Sequence, residues 1–212
     1  EVLYKVDVLN DVELLKVSGN LNSDDWTAIK NMKNLIGLDL SDAKFNSVPD
    51  YAFDGLSNLS YAVLPEGLTS IGQYAFKGTQ ILNIDIPNTV TSIGQYAFAN
   101  TRVRSVNFKE DSKLAYIGYN AFRECTSLEQ FIMPNTVTAL GTYNNRVDYE
   151  CGTFYGCTNL EKLHFSDALS TLEQSVCYNC SKLKDVHLPQ NISSIRDNAF
   201  YNTSSLRKIE LP

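Results

Sequence analysis

Histidine, basic charge and long apolar runs are all scarce in this chain, and each scarcity removes a class of function. Only two histidines occur in 212 residues. A Ser-His-Asp arrangement would therefore have to use His164 or His187, and neither has a nucleophile in phase beside it. Eighteen Lys and Arg against 24 Asp and Glu leave a net charge of −6, which argues against nucleic acid, a partner that selects basic surfaces. No apolar run approaches the ~20 residues that span a bilayer. There is no Gly-rich phosphate loop closing on Lys-Ser or Lys-Thr, no His-Glu-x-x-His and no Gly-x-Ser-x-Gly. Glu1 opens directly into folded-looking sequence without a leader pattern, as a mature or trimmed chain also would. These gaps point away from an enzyme and call for no cofactor. A hydrophobic fraction of 43% with 20% charged residues still suits a packed, soluble protein rather than a disordered one.

What the chain has in abundance is repetition. "TSIGQYAF" stands at Thr69–Phe76 and again, letter for letter, at Thr91–Phe98. An aromatic anchor recurs at Phe53, Phe76, Phe98, Phe122 and Phe154, gives way to Cys177, and returns at Phe200. The steps between anchors are 23, 22, 24, 32, 23 and 23 residues. A second pattern follows in phase: "LSYAVLP", "ILNIDIP", "VRSVNF", "LEQFIMP", "LEKLHFS", "LKDVHLP" and "LRKIELP". A period in the low twenties with an L-x-x-L-x-L core is a leucine-rich-repeat signature.

In that core the last two apolar positions alternate with exposed ones, giving a short strand with one buried face. About 23 residues accommodate one strand, a turn, a return segment and another turn, so stacked coils pair their strands into a parallel sheet. A single α/β solenoid of about nine coils is expected, with its parallel sheet on the concave side and short helical or 3-10 turns on the back. Inward-facing pairs should be Ala62/Leu64, Ile84/Ile86, Val106/Phe108, Phe131/Met133, Leu163/Phe165, Val186/Leu188 and Ile209/Leu211. The "TVTSIG" type of segment should be extended, and Gly72, Gly94, Gly118 and Gly141 share a phase that marks a tight corner. Residues 1–34 read as a capping strand followed by a strand-helix unit, and 35–212 as the repeats. In the former, Val2, Tyr4, Val6 and Val8 alternate as a strand would. Ser23 is the expected N-cap of the helix, with Asp24 and Asp25 in its first turn and Trp26, Ile29 and Met32 facing inward. At the other end the chain stops at "LP" with a strand edge to be covered or trimmed.

The combination I-G-x-x-A-F-x-x-C-x-x-L followed by x-x-I-x-L-P resembles the BspA-like leucine-rich repeats of bacterial surface proteins. "IGYNAFRECTSLEQFIMP" at Ile117–Pro134 carries the resemblance best, and the likeness extends from Leu35 to Pro212. It implies a secreted or surface-anchored protein that binds other macromolecules without catalysis. The expected partner is a protein, with host extracellular matrix or a surface glycoprotein as candidate classes.

Five cysteines include "CYNC" at Cys177–Cys180, which has the look of a redox or zinc motif. Repeat phase favours a structural reading instead. Cys177 replaces the inward phenylalanine, and Cys180 shares a slot with Cys125 and Cys157 that elsewhere holds Thr79, Thr101 and Thr203. Cys151 is out of phase and is the cysteine expected to be exposed.

Candidate contact residues fall in two places. The exposed strand positions include Tyr61, Val63, Ile132, Lys162, His164, Asp185, His187, Lys208 and Glu210. The apolar members, Tyr61, Val63 and Ile132, answer no need of the fold. The long step between Phe122 and Phe154 places an insertion near 142–150, where Tyr143, Arg146 and Tyr149 are interface-favouring types. His164 and His187 lie one coil apart, with Glu210 continuing their column. Two imidazoles and a carboxylate suit a metal, yet a flat column converges poorly on a tetrahedral ion and no fourth ligand is evident. A charged ladder is the preferred reading, with no metal assigned. A metal-dependent binder or enzyme centred on His164, His187 and Glu210 is the alternative, and a passive spacer is a third. Stacked imidazoles repel once protonated, so binding through that end should weaken below about pH 6.5.

Overall fold

One-sided burial sets the architecture: each repeat can hide its alternating apolar residues only against the next. In the computed structural model, which describes residues 11–142 and 151–212, the elements run in strict alternation along the chain. They begin β1 (Leu14–Asn20), α1 (Ser23–Lys30), β2 (Gly37–Lys44), β3 (Ser47–Val48), β4 (Tyr61–Val63), β5 (Ser70–Ile71), β6 (Asn83–Ile86) and β7 (Ser92–Ile93). They continue β8 (Ser105–Phe108), β9 (Tyr116–Ile117), β10 (Gln130–Ile132), β11 (Ala139–Leu140), β12 (Lys162–His164), β13 (Thr171–Leu172), β14 (Asp185–His187) and β15 (Ser194–Ile195). All pairing is parallel and always between equivalent strands of neighbouring coils. The longer strands form one face in three laddered groups, β1-β2-β4, β6-β8 and β10-β12-β14. The two-residue strands form a second ladder, β11-β9-β7-β5-β3 with β13-β15, on another side of each coil. The chain is a parallel-strand solenoid, as its period predicts.

Between the ladders lies one contiguous apolar cluster running from Ile29 to Ala199. Its spine is a phenylalanine stack. Phe76 and Phe98 have centroids 5.1 Å apart with rings 3° from parallel, and Phe98 and Phe122 follow at 5.4 Å and 2°. Cys177 continues this spine fully buried, as its phase predicts.

The return segments are short turns of the expected 3-10 type of bonding, interrupted before they grow into helices. Their turns close through i to i+3 bonds, such as Ala52 N–H to the Pro49 carbonyl and Leu56 N–H to that of Phe53. A left-handed residue two places after each anchor stops the pattern from propagating: Gly55, Gly78, Asn100, Glu124, Gly156, Asn179 and Asn202 all have positive φ. Tyr51, Tyr74, Tyr96, Asn120, Ser175 and Asn198, two places before an anchor, do so as well. Turning the backbone in this way aims amides along the stack, so Phe76 N–H donates to Ala97 O at 2.7 Å and Gly78 N–H to Ala99 O at 2.9 Å. Every coil is thus hydrogen-bonded to its neighbour through its turns as well as its strands. The glycine column at Gly72, Gly94, Gly118 and Gly141 serves close approach: a Cβ at Gly118 would lie 2.5 Å from the Gln95 backbone nitrogen.

Several expectations need correcting. Among the described residues eight longer strands form rather than about nine coils' worth; Lys208–Glu210 adopts no strand and Leu211 is 70% exposed. Ile209 is half-buried and packs against the apolar cluster while Leu211 is exposed, so only the first of this pair faces inward. The N-cap is Asn22, not Ser23; its side chain accepts from the amides of Asp24 and Asp25, and the Asp25 carboxylate accepts from the Asn22 N–H. Cys151 is buried, at 6% exposure, rather than exposed. The predicted strand through Val2, Tyr4, Val6 and Val8 lies outside the described residues.

Candidate binding face

Strand alternation sorts side chains by face, and coil-to-coil register then lines the outward ones into two columns. Gly37 pairs with Tyr61 and Asp39 with Val63; Asn83 pairs with Ser105 and Asp85 with Asn107. Farther along, Gln130, Lys162 and Asp185 follow one another in one column, and Ile132, His164 and His187 in the other. Neighbours within a column bond to each other. Ser105 Oγ donates to Asn83 Oδ1 and Asn107 Nδ2 to Asp85 Oδ1, both at 2.7 Å. Lys162 Nζ sits 3.4 Å from Asp185 Oδ2, an exposed pair that contributes little stability but holds both side chains in line.

The apolar members break this polar pattern. Tyr61 is 58% exposed and Ile132 46% exposed, while Val63 is partly covered. An open cleft of about 690 Å³ lies against the first group, lined by Tyr61, Val63, Asp85, Asn107 and Lys109 among others. Lys109 crosses two coils to meet Glu66 at 2.8 Å along its rim.

The histidine end is more closely built. The rings of His164 and His187 lie 3.8 Å apart, tilted by 48°. His187 Nε2 is 3.0 Å from Asp167 Oδ1, and the Gln190 amide donates to the same oxygen at 3.3 Å. The hydrogen bond from His187 holds the Asp167 carboxyl below its ordinary range, aided by the Gln190 amide. Burial, then the adjacent His187, pushes the His164 imidazole down. The expected carboxylate partner is replaced: Glu210 pairs with Lys208 two residues away, while Asp167 closes on the histidines. Asp167 sits in the turn after β12, off the strand, three residues beyond His164. Its phase-mates Glu66, Asn88, Asn135 and Gln190 are all polar, a signal that strand alternation alone does not read.

All five cysteines are buried with no disulfide among them. Burial pushes the Cys157 and Cys177 thiols well up. Cys125, Cys157 and Cys180 donate to the carbonyls of Phe98, Phe122 and Phe154, the anchors of the preceding coils, at 3.0–3.1 Å. Thr79, Thr101 and Thr203 instead bond the anchor of their own coil. The shared slot therefore takes a small residue that also donates. Tyr143, Arg146 and Tyr149 lie outside the described residues.

The model of the BspA type leucine-rich repeat region matches this chain six times, over residues 26–146 and 142–212. The chain belongs to that family. BspA-type repeats build surface proteins of bacteria, and one solved structure shares the fold. A Treponema pallidum leucine-rich repeat protein is 22% identical, with a TM-score of 0.55 over 91% of this chain and 72% of its own. A leucine-rich cell surface protein of Faecalibacterium prausnitzii is 26% identical over 84% of this chain and 54% of its own, with a TM-score of 0.47. The pneumococcal vaccine antigen PcpA is 19% identical over 78% and 53%, with a TM-score of 0.45. This chain thus spans about half the length of those last two. No curated protein sequence matches it. Among the described residues, no helix of this BspA-type chain is long and apolar enough to cross a membrane.

Proposed function

We propose that this BspA-type chain is a non-enzymatic binding module displayed outside a bacterial cell, which grips a protein along its longer-strand face. One observation carries the reading: Tyr61 and Ile132 stand exposed, with Leu14 and Val63 as further apolar members, on a face whose remaining outward side chains are mostly polar or charged and where folding alone requires neither. A row of side chains at strand spacing suits an extended macromolecule better than a small molecule held in a closed pocket. Tyrosine is moreover a residue type that anchors interfaces. Host extracellular matrix or a surface glycoprotein is the partner class that fits display on a host-associated bacterium. The surface of bacterial relatives supports this location, and no cofactor enters the reading.

The test is a binding panel of matrix proteins and surface glycans against the parent and single alanine variants of Tyr61, Ile132, His164 and His187. Loss of at least about tenfold in affinity at Tyr61 or Ile132 is expected, the effect of a moderate interface anchor. Parental binding by all four, alongside loss in a variant with 142–150 shortened to a turn, would move the contact to the insertion. Silence across the whole panel would favour a passive spacer.

A further inference from the structure

We propose that His164, His187 and Asp167 form a binding site for a transition-metal dication of the zinc class. The site stands on its own ligands and does not depend on which protein the face engages.

Geometry is the first support. The register sets His164 directly opposite His187 on adjacent strands, while Asp167 approaches from the following turn. The three groups are therefore arranged as a triangle rather than along one column, which meets the poor convergence of a flat ladder. One donor atom from each lies within 4.8 Å of the other two. Tetrahedral zinc with bonds of roughly 2.0–2.1 Å holds its ligands about 3.3 Å apart. His187 Nε2 and Asp167 Oδ1, at 3.0 Å, already stand near that separation. A dication there takes the place of the proton they share. The remaining gap closes by rotation of half-buried side chains, without disturbing the apolar cluster beneath.

Chemistry is the second. Two imidazoles and one carboxylate suit zinc, cobalt, nickel or copper, whereas calcium and magnesium prefer oxygen alone. Lys162, two residues before His164, is paired with Asp185 at 3.4 Å, which offsets its positive charge. Three protein ligands leave at least one position open to water or to a side chain of a bound partner.

Titration of the parent chain with zinc chloride by calorimetry tests the site. One zinc per chain is expected, with affinity falling about tenfold or more in each of His164→Ala, His187→Ala and Asp167→Asn, the usual scale for disturbing a metal site. Glu210→Gln should bind like the parent. Far-UV circular dichroism confirms that the variants fold, and zinc should raise the melting temperature of the parent while leaving that of His187→Ala unmoved. Cobalt supplies an independent readout: visible d–d bands without a thiolate charge-transfer band. Failure of the parent to bind zinc stoichiometrically overturns the proposal, as does unchanged affinity in His187→Ala and Asp167→Asn. A thiolate band would place the metal on cysteine and overturn it too.

Discussion

Glu173 occupies the position that glycine holds at Gly72, Gly94, Gly118 and Gly141, and it brings a charge into a confined corner. Its side chain is 13% exposed and meets Arg196 Nη1 at 2.9 Å, a charge contact without an aligned hydrogen bond. Burial raises the Glu173 carboxyl above the usual 4.5 of a glutamate, and Arg196 only partly opposes this. A raised carboxyl pKa means that the folded state holds the proton more tightly than the unfolded chain. The ionised group therefore costs stability at neutral pH, and that cost fades as pH falls through the folded pKa toward 4.5. Glu173→Gln should raise the melting temperature at pH 7, and the gain should vanish below pH 4.5. A variant less stable than the parent at pH 7 would show that the Arg196 contact outweighs the burial. Residue-level chemistry was only partly legible in the sequence. Cysteine phase told correctly that Cys125, Cys157, Cys177 and Cys180 are packing residues. For Cys151 the reading failed, because an out-of-phase residue beside an insertion has no repeat-mates to report its burial.

At the level of single elements, the strands were read almost to the residue, because one buried face forces alternation and a slip would expose every apolar side chain. The turns were not. Their left-handed positions hold Tyr51, Tyr74, Tyr96 and Glu124 as well as glycine and asparagine, and bulky types carry no left-handed signature. Asp167 is hidden from the sequence for a related reason: it belongs to a turn, whereas strand alternation in the histidine column points to Glu210. The start of α1 shows two adjacent residues competing for one role. Asn22 and Ser23 both cap well, but only Asn22 stands three residues before Asp25, the spacing that lets each side chain bond the other's amide. Asn22→Ala should therefore destabilise the chain by about 1 kcal/mol, and Ser23→Ala by much less. Urea midpoints of the two variants decide the matter; equal losses would mean that Ser23 shares the cap.

Across the whole molecule, stability is built in series: the strand ladders, phenylalanine stack and turn hydrogen bonds mainly link neighbouring coils. Such a chain should tolerate loss of an entire coil far better than loss of part of one. The repeated "TSIGQYAF" makes the experiment clean, since its two copies start 22 residues apart. Deleting residues 69–90 joins Leu68 to Thr91 and leaves the local sequence in phase. Ser47, now paired with Ser70, would pair with Ser92 instead. Phe53, whose ring lies 4.8 Å from that of Phe76 at a tilt of 43°, would pack on Phe98, and β4 would meet β8. Every apolar residue keeps an equivalent neighbour, so no cavity opens. The shortened chain should melt in one cooperative transition, at a lower temperature because one coil's interface is gone. Deleting 11 residues, 69–79, should abolish folding, since it joins the start of one ladder to the far side of the next. Far-UV circular dichroism and thermal melts of both variants separate the cases. If the 22-residue deletion unfolds as fully as the 11-residue one, the coils are not interchangeable, and stability resides in some particular coil rather than in the stacking of equivalents.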